Sequence, residues 1–357
     1  MKKIIALILA LCLTLALVAC GDKTDAGNTP DPQPAAAEYT LGMGIVLNMD
    51  SSKAENAQVD ATVAAVVIDK DGKIVECRID VAQNKMAVVG GAVDTAATFK
   101  TKMELGSAYG MAGKVDNNDD GVMLEWNEQA KAFEEFVVGK TGAEVAALET
   151  KEAKGHKIAV DEDLLKAGCS MQITDFMAAV AKACADEQGQ KFSAAGEFTL
   201  GVAAATVADE STAAAADKDG SVKMYTDFAA AVVADGKILA AVTDAVQPEI
   251  KVNVIGDIIE KTFKGTKREL KEGYNMATYG ASMDNNGDGK VLEWYVQADA
   301  FAKYVVGKTG AEVKAMETKT LDNGYVISAD DALLSAGCTI QITSMKAVMA
   351  TACDYAR

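Results

Sequence analysis

Residues 62–82 read TVAAVVIDKDGKIVECRIDVA. Two runs rich in Val and Ile flank KDGK, which predicts two β-strands joined by a tight hairpin turn. The same plan returns at residues 228–246, FAAAVVADGKILAAVTDAV. A hairpin that occurs twice asks how far the repetition extends.

It extends through most of the chain. EYTLGMG (38–44) returns as EFTLGVA (197–203), and TKMELGSAYGM (101–111) returns as TKRELKEGYNM (266–276). DNNDDGVMLEW (116–126) returns as DNNGDGKVLEW (284–294), and VVGKTGAEVAALETK (137–151) as VVGKTGAEVKAMETK (305–319). The order is kept, so the chain carries a tandem duplication. Within a unit, LEWNEQAKAFEEFVVGKT (124–141) sets Trp126, Gln129, Phe133, Phe136 and Val137 at helical spacing. TGAEVAALET predicts a short helix capped by Thr141, and TDFMAAVAKACA a final helix capped by Thr174 or Asp175. Strands first and helices after predict an α+β fold of two tandem copies, each an antiparallel sheet with helices, over residues 38–187 and 195–357.

The start of the chain reads as an address. MKK precedes the apolar run IIALILALCLTLAL, too short for a typical membrane span, and then LVAC, residues 17–20. That is the lipobox pattern of a bacterial lipoprotein, with residues 1–19 as signal peptide and Cys20 as the lipidated residue. The acyl chains would hold the protein at a membrane surface. Residues 20–37 are polar, contain three of the four prolines and have no apolar period, and so predict a flexible tether.

The formal charge of −17 argues against a nucleic-acid partner and against broad contact with anionic lipid. A single histidine, His156, excludes a duplicated histidine-based metal or hydrolase centre. No pair of cysteines forms a CxxC motif. Cys169 and Cys184, like Cys338 and Cys353, are separated by a helix too long for a disulfide, so they read as buried thiols.

Two motifs carry candidate chemistry. AGCS (167–170) and AGCT (336–339) each precede the final helix of a unit. Gly168 and Gly337 allow a sharp turn and a close approach, and the hydroxyls of Ser170 and Thr339 are expected to be exposed near a helix start, which suits a phosphate. A local cap made by the same hydroxyl is the other reading. The Asn- and Asp-rich loops place oxygens at Asp116, Asn118 and Asp120, followed by Gly121, and again at Asp284, Asn286 and Asp288, followed by Gly289. Such loops suit Ca²⁺, although Asn127 and Tyr295 stand where an EF-hand has its bidentate Glu, and Glu125 and Glu293 come two residues earlier. An Asx-rich turn opening the next helix is the alternative.

The ordered set of Y-T-x-G, a DGKI hairpin, TKxELxxxYxM and a closing small-Gly-x-hydroxyl before a helix resembles the FMN-binding domain family. The tandem, lipid-anchored form is similar to the flavoproteins of Gram-positive extracellular electron transfer. In that family the closing motif is Ser-Gly-Ala-Thr, and a flavin transferase links FMN to the Thr hydroxyl through a phosphoester. By position the resemblance implies Ser170 and Thr339 as acceptors. Here Ala167 and Ala336 replace the motif's Ser, Cys169 and Cys338 replace its Ala, and Ser170 replaces the first Thr. The resemblance also sets the central segment beside the flavin, with Tyr109 and Tyr274 stacking, Met111 and Met276 adjacent, and Lys102 and Lys267 balancing phosphate. The implied role is an electron carrier, not a turnover enzyme, on the extracellular face of the membrane, between a membrane donor and an external acceptor. The alternative is a non-redox envelope binding or adhesion lipoprotein, stabilised by calcium.

Overall fold

The computed structural model describes residues 36–278 and 284–357. The stretch read from the sequence as signal peptide, Cys20 and tether lies, up to residue 35, outside the described residues. Among the described residues no helix is long and apolar enough to cross a membrane.

The first hairpin forms as its composition predicts. Strand Asn56–Asp69 pairs antiparallel with strand Ile74–Ala87. The turn closes because Gly72 takes a positive φ of 74° and the Asp69 carboxylate accepts from the amides of Asp71 and Lys73, both at 2.9 Å. In the second copy, strands Tyr225–Ala234 and Lys237–Val246 are joined by Asp235 and Gly236, both at positive φ, the conformation of a two-residue hairpin loop. Strand Ala37–Asn48 completes the first sheet beside Asn56–Asp69, and strand Thr199–Val207 completes the second beside Tyr225–Ala234. Strand Gln190–Ala194, inside the stretch where the repeats meet, joins the first sheet along Ala37–Asn48. The chain is thus α+β, with several small antiparallel sheets and ten α-helical segments among the described residues.

Both faces of each main sheet are covered. On the first sheet Ala64, Val66, Cys77 and Ile79 face helices Trp126–Val137 and Thr174–Cys184. The alternate residues Val63, Ala65 and Val67 share one core with Leu200, Val202, Phe228, Ala230 and Val232 of the second sheet. Helices Trp294–Tyr304 and Thr343–Asp354 cover the outer face of that second sheet. The two sheets therefore pack against each other between outer helices, inside the compact unit Ala35–Arg357. Burial on both faces explains why VAAVVI shows no polar alternation.

The final helices lie unusually close to the sheets. A Cβ on Gly42 would stand 2.1 Å from the Ala183 carbonyl oxygen, and one on Gly201 1.9 Å from that of Ala352. The YTLG and FTLG glycines are there because a helix backbone occupies the side-chain space. Neither Thr174 nor Asp175 caps the helix, contrary to the sequence reading. Ile173 is at the N-cap without a side-chain bond, and its own amide donates to the Lys157 carbonyl at 3.2 Å, which fixes the entry of the chain instead.

Candidate functional site

The hydroxyl loops follow short helices. Helix Glu162–Lys166 ends at Ala167, and Gly168 then turns the chain with φ of 93°; helix Asp331–Ser335 ends at Ala336, and Gly337 repeats the turn at 98°. Ser170 is 1% exposed and Thr339 5% exposed. This corrects the expectation that they face solvent. The cause is a pair of side-chain clamps that composition alone did not reveal.

Gln129, fully buried on helix Trp126–Val137, accepts from the amides of Ser170 and Met171 with one oxygen, both at 3.0 Å. Its amide nitrogen donates to the Leu124 carbonyl at 3.0 Å. Asn117 donates to the Ser170 carbonyl at 2.9 Å. The second copy reproduces this: Thr339 N donates to Gln297 at 2.7 Å, Gln297 donates to the Leu292 carbonyl at 2.7 Å, and Asn285 donates to the Thr339 carbonyl at 2.9 Å. The Thr339 hydroxyl also donates to Gln297 at 3.1 Å, whereas the buried Ser170 Oγ has no partner. The signal that could have revealed these glutamines is a polar residue repeated at a core position of an amphipathic helix.

The central segment begins with a duplicated capping box, Thr101 with Glu104 and Thr266 with Glu269. Lys102 and Lys267 follow, and each ammonium lies over two rings. Lys102 is 4.9 Å from the Tyr109 centroid and 5.4 Å from that of Trp126; Lys267 is 5.1 Å from Tyr274 and 5.0 Å from Trp294. Burial lowers the Lys102 pKa from its ordinary value, against the opposing pull of Asp60, Asp80 and Asp175. Met111 N is held by Glu125, and Met276 N by Glu293, so the two glutamates serve the backbone of this segment. Burial acts to raise the Glu125 pKa, but the amides of Trp126, Met111 and Ala112 outweigh it and hold the carboxyl low. Behind the segment, Asp80 accepts from Met103 N at 3.1 Å and Asp244 from Arg268 N at 3.0 Å; burial pushes each carboxyl up to about 6.

In the first copy these parts surround a cleft of about 810 Å³. Lys102, Tyr109, Met111 and Trp126 line it, with Asn117, Met171 and Phe176. Lys85, Lys114 and the lone His156 line it too, as do Asp60 and Asp175. The sequence-chosen Lys102, Tyr109 and Met111 thus come together. Ser170 and Gly168 are not part of the lining, but Asn117 holds the Ser170 carbonyl and Met171 follows it in the chain. Tyr274 in the second copy donates its hydroxyl to Gln247 at 3.0 Å.

The Asp- and Asn-rich loops are wound around their own backbones. Asp116 accepts from Gly121 N at 3.0 Å, Asp120 from Val122 N at 2.7 Å, and Asn118 donates to Asp120 at 2.7 Å. Asp284, Asp288 and Asn286 repeat these bonds with Gly289 N and Lys290 N. Among the described residues no group of three or more His, Cys, Asp or Glu is arranged to hold a metal ion. Cys77, Cys169 and Cys338 are buried thiols, and burial pushes the last two up to about 12; Cys184 and Cys353, read from the sequence as buried, are only half-buried.

No protein-family model matches the chain, and no solved structure matches it. A stretch is similar to chlorophenol reductase of Desulfitobacterium hafniense, 31% identical over 129 residues. That stretch is 31% of this chain and spans 38% of the relative, which is named for a reductive activity.

Proposed function

We propose that this chain is a lipid-anchored envelope flavoprotein that carries electrons through FMN. One observation carries the reading: Lys102, Tyr109 and Met111, singled out in the sequence, line one cleft that also reaches Asn117, the donor to the Ser170 carbonyl, and Met171, the next residue in the chain. The donor set fits the group. Lys102, Lys85 and Lys114 suit a phosphate, Tyr109 and Trp126 suit a flat ring, and the cleft volume is in the range of cofactor sites. The orphaned Ser170 Oγ is a buried hydroxyl with its bonding capacity unused. Bound FMN supplies reversible electron uptake; the chain's part is to hold it, orient it and shield it from water. Thr339 is the corresponding attachment point in the second copy, and Cys20 the lipid anchor. A flavin transferase, a membrane donor and an external acceptor are the partners this role requires, on the extracellular face of the membrane. The reductive name of the relative agrees with a redox role.

The test is the mass of the protein produced together with a flavin transferase. An added FMN mass on the peptides bearing Ser170 or Thr339, lost in Ser170→Ala or Thr339→Ala, supports the reading. A colourless protein of unmodified mass sinks it.

A second reading, a calcium-stabilised binding or adhesion lipoprotein without redox function, is favoured by one detail: the buried Asn118 Oδ1 has no partner inside its oxygen-rich loop. It predicts a melting temperature that rises with Ca²⁺ and falls with chelator. A melting temperature indifferent to both removes it.

A further inference from the structure

The two hydroxyl loops are covered, and the cover is the same in both copies. Asn117 reaches from the Asp- and Asn-rich loop to the Ser170 carbonyl, and Asn285 to the Thr339 carbonyl. A leucine from the same loop then presses on the glycine of the hydroxyl loop. A Cβ on Gly168 would stand 2.3 Å from Leu124 Cδ1, and one on Gly337 2.7 Å from Leu292 Cδ1. Each glycine leaves room for the leucine above it.

We propose that residues 115–124 and 284–292 are lids over the hydroxyl loops, and that Asn117 and Asn285 are the positioning residues whose release exposes Ser170 and Thr339 to a modifying enzyme. The identity of that enzyme as a flavin transferase rests on the flavin reading; the lid does not. Attachment from FAD would form the bond from Oγ to the flavin-side phosphorus, break the anhydride, release AMP and give the hydroxyl proton to solvent or to a base of the transferase. None of that can begin on a side chain 1% exposed.

The contacts divide into those that stay and those that leave. Gln129 and Gln297 sit on helices packed in the cores and hold the loop amides in place. Each lid adds one side-chain hydrogen bond to the loop carbonyl, one backbone acceptor for the glutamine and one leucine, joined in the first copy by Val122. Those are few enough to open without unfolding the core. The lids also differ. In the first, Lys154 binds Asp119 at 2.6 Å and the Asp116 carbonyl. The matching hairpin turn of the second copy, LDNGY at residues 321–325, has no lysine. Among the described residues the second lid is therefore the looser one, and Thr339 the hydroxyl reached first.

The neighbouring cysteines make the opening measurable. Cys169 and Cys338 directly precede the hydroxyls in the loops that the lids cover and are fully buried on the helix-side cores; Cys77 is fully buried in the same core as Cys169 but on the sheet, away from the loop, and Cys184 is half-buried. The full chain is treated with N-ethylmaleimide in native buffer, and each cysteine peptide is quantified by mass spectrometry. Labelling is expected in the order Cys184, Cys338, Cys169, Cys77. Asn117→Ala is expected to speed Cys169 about tenfold, the size of one lost buried hydrogen bond, and to leave Cys338 and Cys77 unchanged. Asn285→Ala should do the same for Cys338 alone. Lys154→Ala, at an exposed side chain with little bearing on folding, should speed Cys169 a few-fold. Labelling of Cys169 and Cys338 in step with Cys77 in wild type and in Lys154→Ala overturns the lid. Adding FAD and a flavin transferase separates the two readings. No FMN mass in any variant, with the labelling order kept, removes the flavin and leaves the lid. FMN mass appearing at one rate in wild type and Asn117→Ala removes the lid's control of access and leaves the flavin.

Discussion

Lys102 Nζ stands 4.9 Å from the centre of the Tyr109 ring, and the arrangement is repeated by Lys267 over Tyr274 at 5.1 Å. An ammonium pressed between two aromatic faces is partly desolvated, and burial accordingly lowers the Lys102 pKa. Asp60, Asp80 and Asp175 pull the other way, and the two ring faces favour the ammonium as well. A cation held ready beside an open cleft in a chain of net charge −17 is poised for an anionic ligand.

Lys102→Met keeps the aliphatic stem and removes the charge. FMN affinity, measured by quenching of flavin fluorescence, is expected to fall about tenfold, as for loss of one charge-assisted contact of about 1.5 kcal/mol. Lys102→Arg should recover most of it. An unchanged Kd in Lys102→Met would take the residue out of the site.

Gly42 and Gly201 admit no side chain, since the carbonyls of Ala183 and Ala352 fill the Cβ positions. Gly42→Ala must push helix Thr174–Cys184 off its sheet, and Gly201→Ala helix Thr343–Asp354. Each is expected to lower unfolding free energy by about 3 kcal/mol, at the upper end of overpacking costs. Urea midpoints measure this. Gly121→Ala, where nothing lies within contact of a Cβ but φ is positive, should lose only about 1 kcal/mol.

Asp80 is fully buried, one carboxylate oxygen has no partner, and burial raises its pKa from 3.8 to about 6. The folded state therefore holds the proton more tightly than the unfolded chain does. The stability tied to that proton is fully present below the unfolded pKa and is lost as pH rises from about 4 through about 6. Asp80→Asn has nothing to lose there. Relative to wild type it should gain about 3 kcal/mol between pH 4 and pH 7, the order of magnitude of a two-unit shift. Urea denaturation of both proteins at the two pH values gives the double difference, and a value near zero would show that the carboxyl is already ionised at no penalty.

The hairpins, the helix at Trp126 and the α+β class were legible because each depends on local pattern: Asp-Gly turns, β-branched runs and helical spacing. What was not legible depends on contacts between distant segments. The run VAAVVI lacked polar alternation, and that lack recorded burial on both faces, yet nothing in it named the second sheet as the covering layer. Ser170 looked exposed because a hydroxyl after glycine ahead of a helix often is. Its burial is set by Gln129, which read as one more member of a helix face, and by Asn117, which falls between the positions that a calcium loop would use. Lys102, Tyr109 and Met111 were found together because they are close in sequence; Trp126, His156 and Phe176, brought to the same cleft from three other elements, were not.

The shared core predicts how the repeats unfold. Leu41, Val63, Leu200 and Phe228 are 0–1% exposed between the two sheets. Parting the sheets would expose them at about 1.5–3 kcal/mol for each large side chain. Across the same junction Arg268 pairs with Asp186 at 2.9 Å, both almost out of solvent, and Asp186 also accepts from Met43 N at 3.1 Å. Removing one charge of such a pair strands the other, so Arg268→Ala is expected to cost about 3–5 kcal/mol, and the double change Arg268→Met with Asp186→Leu much less. Each repeat carries one tryptophan, Trp126 or Trp294, in its own helix-side core. Trp126→Phe and Trp294→Phe therefore make fluorescence report one repeat at a time. The two reporters should give the same urea midpoint and slope, because neither sheet keeps its inner face covered once the other has gone. Two separate midpoints in otherwise wild-type chains would mean that the shared core contributes little and that each repeat stands by itself.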